Sequence, residues 1–111
     1  MSKTKTKTLK LAVVGMLYRT DTTTLRRIEK HLPVPCWLVR EPRNPNDKNA
    51  IAVRLDDPAF PDFKIGYIAR DTAAEFAPRL DGKKIEISKS QLCEMDPERG
   101  FGEMEISFHR L

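Results

Sequence analysis

Between two apolar runs the chain carries Arg40-Glu41-Pro42-Arg43-Asn44-Pro45-Asn46-Asp47-Lys48-Asn49-Ala50-Ile51-Ala52-Val53, and no other stretch restricts the fold so much. Pro42 and Pro45 fix their own φ near −65° and push Glu41 and Asn44 toward extended geometry, so a helix is excluded here. Asn44, Asn46, Asp47 and Asn49 have short polar side chains that bond nearby backbone and tolerate tight turns. The stretch therefore reads as strand, stiff polar loop, strand, with four short polar side chains gathered in a small volume. By itself such a cluster needs to do no more than hold a hairpin.

The rest of the chain supplies further strands. Leu9 to Tyr18 is rich in β-branched and aromatic residues, with Gly15 suggesting a bulge or a close backbone approach. Cys36 to Val39 forms the second strand. Ala50 to Leu55 alternates, with Ile51, Val53 and Leu55 on one face. Asp56 to Phe63 reads as a loop, Lys64 to Ile68 as the fourth strand, and Lys84 to Glu94 as a fifth with a bulge near Lys89 to Gln91. In the last strand Met104, Ile106 and Phe108 alternate with Glu103, Glu105 and Ser107. Two short helices are expected. The first runs from Leu25 to His31 behind a Thr24 cap, and the second is capped by Asp71 or Thr72, with Thr72 and Glu75 as a capping box and Pro78 disturbing its last turn. Six short strands and two small helices without a βαβ rhythm predict a mostly β protein, a small six-stranded OB-like barrel.

At 111 residues the chain is one domain, here 11–111 behind a flexible basic tail at 1–10. The net charge of +4 belongs to that tail: Lys3, Lys5, Lys7 and Lys10 have no acid among them, and removing these four from 20 basic residues leaves 16 against 16 acidic. Basic residues crowd the first half of the body, from Arg19 to Arg54, and acids gather later. A tail of this kind is either solvated or a basic arm for phosphates. No apolar run reaches the ~20 residues of a membrane span and no leader opens the chain, so an intracellular protein is expected, cytoplasmic and nucleoid-associated if bacterial. Cys36 and Cys93 sit in strand-like sequence, which suits buried thiols in a reducing compartment.

Catalytic patterns are missing. The sequence has no Gly-rich phosphate loop, nucleophile elbow or Cys-x-x-Cys pair. His31, His109, Cys36 and Cys93 share no ligand spacing, so no zinc site is expected. Asn44 to Asp47 imitates the start of a calcium loop, but Leu55 stands where the bidentate Glu belongs. Neither a metal nor a cofactor is implied, and the chain reads as a non-enzyme.

The string Arg40-Glu41-Pro42-x-Asn44-Pro45-x-Asp47-x-Asn49-Ala50-Ile51-x-Val53, with Ile65-Gly66-Tyr67-Ile68 and Ala73-x-x-Phe76-Ala77 downstream, resembles the HIRAN domain family over Val13 to about Phe108. The resemblance implies a modified OB-like barrel. HIRAN domains of the helicase-like transcription factor type capture 3′ ends of single-stranded DNA, and the loop looks like theirs at Asn44, Asp47 and Asn49. It further implies a base-supporting role for Tyr18, a phosphate contact at Arg70, a pocket position for Tyr67, and stacking by Phe101. Arg19 stands where a second aromatic is found in that type, and Leu17 where it has an arginine. Arg43 and Lys48, exposed beside the loop, are phosphate candidates.

The physical logic of end capture is electrostatic. Asp47 facing a phosphate at ~4 Å costs roughly 4 kcal/mol at an effective dielectric near 20. A free 3′ ribose instead offers a hydroxyl, which Asp47 and the Asn44 amide can bond. The expected function is thus a non-catalytic module that binds 3′ ends of single-stranded DNA in repair or fork processing. It would be monomeric and off the membrane, with a helicase or nuclease acting in trans. The alternative is a protein-interaction module recruiting such a partner through a patch of Trp37, Phe60 and Phe63; a small hydrolase on the polar loop is the third reading.

Overall fold

A computed structural model describes residues 5–111, and the first four positions of the expected tail lie outside the described residues. Six antiparallel strands close into a barrel: β1 (Lys7–Val14), β2 (Val34–Arg40), β3 (Ile51–Asp57), β4 (Phe60–Ile68), β5 (Ile85–Asp96) and β6 (Phe101–Arg110), in the order β1-β4-β3-β2-β5-β6. Helix α1 (Thr22–Glu29) lies between β1 and β2, and α2 (Arg70–Asp81) between β4 and β5. The alternation read in the sequence sets the inward face: Val53, Leu55, Met104 and Ile106 are fully buried, together with Val13, Ile65 and Leu92. Each such aliphatic side chain contributes about 1.5–3 kcal/mol by leaving water.

Several boundaries differ from the expectations, each for a local reason. β1 starts at Lys7, inside the expected tail, because Lys7 to Lys10 pair with β6 from Phe108 to Glu105. It ends at Val14, since Gly15 takes φ +77° and turns the chain into a 3₁₀ segment, Met16–Tyr18. The apolar run Met16-Leu17-Tyr18 is therefore a turn and not strand. Met16 drops into the barrel end, fully buried, between two glycines. A Cβ on Gly66 would lie 2.6 Å from the Val14 carbonyl oxygen, and one on Gly102 2.5 Å from that of Glu94, so neither strand tolerates a side chain beside Met16.

α1 begins three residues before Leu25, because Asp21 and not Thr24 is the cap: its side chain accepts from the Thr24 amide at 2.7 Å. The same bond holds the Asp21 carboxyl below its ordinary pKa. α2 starts at Arg70 with no side-chain cap, so the expected Thr72–Glu75 box does not form. It runs through Pro78 to Asp81, the Gly82 amide closing the last turn on the Pro78 carbonyl at 2.9 Å.

The expected 56–63 loop is largely hairpin: β3 reaches Asp57 and β4 begins at Phe60, with register shifts around Arg54 absorbing the extra residues. β5 bulges around Ser88 and Cys93, flanking the expected position. Cys36 is buried, which pushes its thiol up to about 12, and Cys93 is half-buried; both are free.

Candidate functional site

The β2–β3 loop is built almost wholly from its own hydrogen bonds. Asn44 Oδ1 accepts the backbone amides of Asn46 (2.9 Å) and Asp47 (3.2 Å), and the Asn49 amide donates to Asp47 Oδ1 at 2.9 Å. The Glu41 amide donates to the Ala50 carbonyl, and the Ala50 amide to that of Asp47. The short polar side chains of the sequence thus do the work of a turn, as their chemistry predicts.

Two struts fix this loop to the barrel. Arg40, 15% exposed, donates to the Ala50 and Lys48 carbonyls at 2.7 and 2.9 Å and forms a two-pronged ion pair with Asp81 at the end of α2. That pair holds the Asp81 carboxyl below its ordinary range. Glu41 is the second strut. Its Oε2 accepts from Lys64 Nζ at 2.7 Å, and its Oε1 from Tyr67 Oη at 2.9 Å and Asn44 Nδ2 at 3.0 Å. Lys64 Nζ also reaches the Tyr67 oxygen and lies over its ring. Partial burial pushes the Glu41 carboxyl up, but hydrogen bonds from Lys64, Asn44 and Tyr67 outweigh it and hold the group at about 2. The reciprocal bond to Glu41 raises Lys64 above its ordinary pKa.

Two adjoining hollows result, sharing Asn44 and Pro45 as a ridge. One, about 490 Å³, is walled by Pro42, Arg43, Pro45 and Tyr67. The other, about 400 Å³, holds Asp47, Lys48, Asn49 and, from α2, Arg70. Asp47 is 19% exposed. With Oδ1 tied to the Asn49 amide, its Oδ2 faces the Arg70 guanidinium at 3.9 Å, and Arg70 itself donates to the Asn46 carbonyl at 3.2 Å. Asn44 spends its oxygen and one amide hydrogen internally and keeps the second hydrogen free of those bonds.

Arg43, Asn44, Asp47, Lys48, Asn49, Tyr67 and Arg70 are therefore brought together. Tyr18, Arg19 and Phe101 are not in these hollows. They stand at the end of β1, where Val14 pairs with Tyr67 on one side and Val13 with Gly102 on the other. Tyr18 is 95% exposed on a turn anchored by Met16, and Leu17 packs on Gly100. Phe101 is 43% exposed beside Glu94, Asp96 and Glu103, surroundings that admit a base but repel a phosphate. It lies two strand spacings from β4, about 10 Å.

Sequence reasoning missed Arg40, Glu41 and Lys64 as site residues. Glu41 stood in the loop string, but its partners lie 23 and 26 residues away across a bulged hairpin. Phe60 is buried, with His31 edge-on and Arg27 over its ring, and Phe63 is half-buried. The expected patch of Trp37, Phe60 and Phe63 consequently reduces to Trp37 alone, 54% exposed on β2. Among the described residues no helix is long and apolar enough to cross a membrane.

A family model described as HIRAN domain matches residues 7–109. Among solved structures the chain is similar to the HIRAN domain of human HLTF, at 23% identity and a TM-score of 0.71, over 93% of this chain and 75% of that one. It is also similar to a protein from Lactobacillus plantarum, at 25% identity and a TM-score of 0.69, over 96% of this chain and 99% of the other. No curated protein matches it.

Proposed function

The chain belongs to the HIRAN domain family, and from that premise we propose that it is a non-catalytic nucleic-acid-binding module whose β2–β3 loop takes the 3′ end of single-stranded DNA. The observation that carries this reading is the state of Asp47. One carboxylate oxygen is immobilised by the Asn49 amide, and the other is turned toward an open hollow beside Arg70. A ribose 3′-hydroxyl entering that hollow donates its hydrogen to Asp47 Oδ2 and accepts the remaining Asn44 amide hydrogen. Arg70, Arg43 and Lys48 then meet phosphates on the 5′ side of that nucleotide. A chain that continues past the 3′ oxygen would put a second phosphate against Asp47.

Tyr67, held by Glu41 and Lys64, walls the neighbouring hollow, and Tyr18 offers an exposed ring for stacking of a base. The module positions an end in repair or fork processing, and a helicase or nuclease partner supplies the chemistry.

Fluorescence anisotropy with oligonucleotides carrying a 3′-hydroxyl or a 3′-phosphate, and with a circular strand, tests the reading. The 3′-hydroxyl form binds at least tenfold more tightly than the other two, and Asp47→Ala abolishes the difference. Equal affinity for all three in the unmodified protein would remove end capture.

A further inference from the structure

At the other end of β1, a cleft of about 580 Å³ opens where the start of that strand, the end of β6 and the last turn of α2 meet. Among the described residues five cations line it, Lys5, Lys7, Arg79, Lys84 and Arg110, over an apolar floor that includes Phe108, and no acidic side chain does. Glu75, outside the lining, reaches Arg79 at 3.7 Å. Setting that carboxylate against the five still leaves four positive charges in surplus.

Elsewhere several cations are spent on internal pairs: Arg26 on Glu98, Arg40 on Asp81, Arg54 on Asp62 and Lys64 on Glu41. Crowding like charges in one concavity destabilises a fold unless a polyanion neutralises them, and low-dielectric walls focus their field on whatever enters. We infer that this cleft is a second nucleic-acid site, binding the phosphodiester backbone of the same strand that engages the loop. This rests on the nucleic-acid part of the reading above and not on end capture.

The geometry suits one continuous strand. Helix α2 carries Arg70 at the loop and Arg79 at the cleft, with a rise of about 14 Å between them, and β1 spans about 23 Å from Lys7 to Val14. At ~3.4 Å of strand per stacked nucleotide the two spans take about 4 and about 7 nucleotides, within the ~4–16 that an OB fold engages. Phosphates at the cleft are read by charge alone, so the contact is indifferent to sequence and sensitive to salt.

The test uses 3′-hydroxyl oligothymidylates of 4 and 15 nucleotides with the doubly substituted Lys84→Glu/Arg110→Glu protein, both sites being exposed and outside the loop. The 4-mer binds it as it binds the unmodified protein. The 15-mer binds at least tenfold more weakly, and its slope of log affinity against log salt falls by about 1.4, two contacts at ~0.7 each. Unchanged 15-mer affinity and slope would overturn the inference. If the unmodified protein fails to distinguish a 3′-hydroxyl from a 3′-phosphate, end capture falls while the cleft is still tested by the 3′-phosphate 15-mer. Loss of that binding in the variant supports the cleft and its persistence refutes it. Should unfolding accompany the charge reversal, Lys84→Gln/Arg110→Gln repeats the comparison with half the charge change.

Discussion

The walls on either side of Tyr67 are built by opposite means. On one side the loop from Glu41 to Ala50 is tied by its own side chains and by two charged struts, Arg40 and the Glu41–Lys64 pair. Across β1 the Met16–Tyr18 turn is held by four backbone hydrogen bonds and one buried methionine, while its tyrosine points into water. Under the proposed function the contrast separates selection from adhesion. Discriminating a hydroxyl from a phosphate requires an acceptor fixed before the ligand arrives, because a displaced acceptor loses its hydrogen bond and keeps only its repulsion. Stacking on a ring tolerates rotation and slip, so the turn needs no such framework.

The largest effect expected on this contrast comes from cutting a strut. Glu41→Ala leaves Lys64, whose side chain is 16% exposed, with its main partner gone and releases Tyr67 and Asn44 together. The fall of the Glu41 carboxyl from 4.5 to about 2 corresponds to roughly 3 kcal/mol, an upper figure for a group that keeps 22% of its side chain in water. Because the folded pKa is the lower one, that stability is fully present above about pH 4.5 and is lost as the pH falls toward 2. Urea melts at pH 7 and pH 3 check this. The unmodified protein loses more stability between the two than Glu41→Ala does, and equal losses would mean that the strut bears no load.

A middling effect falls on the other wall. Tyr18→Ala weakens binding of a 3′-hydroxyl strand by about 1–3 kcal/mol, the worth of one stacked base. It changes folding stability by less than about 0.5 kcal/mol, since the ring covers nothing. The ratio of 3′-hydroxyl to 3′-phosphate affinity stays as it was. A shift in that ratio on titration of both oligonucleotides would show that the turn shares in selection, and the division drawn above would fail.

How much of this was legible beforehand depended on the range of the interaction. Pro42, Pro45 and the Asx side chains act within three residues, so the loop could be read from its string. β3 and β6 showed their inward faces by alternation. The end of β1 could not be seen, because Met16-Leu17-Tyr18 continues an apolar run and only the φ of Gly15 breaks it. The Glu41–Lys64 and Arg40–Asp81 struts join residues 23 and 41 apart. Their pairing depends on register shifts in the β3–β4 hairpin and on where α2 ends, which no local pattern encodes. The basic cleft draws its cations from Lys5 to Arg110 and was equally hidden, each member reading as an ordinary surface charge.

The smallest effects belong to Arg43 and Lys48, which are exposed on the loop and take part in neither strut through their side chains. Replacing either with Gln removes at most one phosphate contact. The slope of log affinity against log salt for a 3′-hydroxyl strand then falls by about 0.7 for each, and by about 1.4 for both, with selection of the 3′-hydroxyl unaltered. The two residues flank the hollows from opposite ends of the loop, Arg43 beside Tyr67 and Lys48 beside Asp47. Comparing their losses at low salt therefore locates the last phosphate. A larger drop in Lys48→Gln sets it in the Asp47 hollow next to Arg70, whereas a larger one in Arg43→Gln sets it over Tyr67, where the Asp47 carboxylate no longer touches the sugar and selection would have to come from shape.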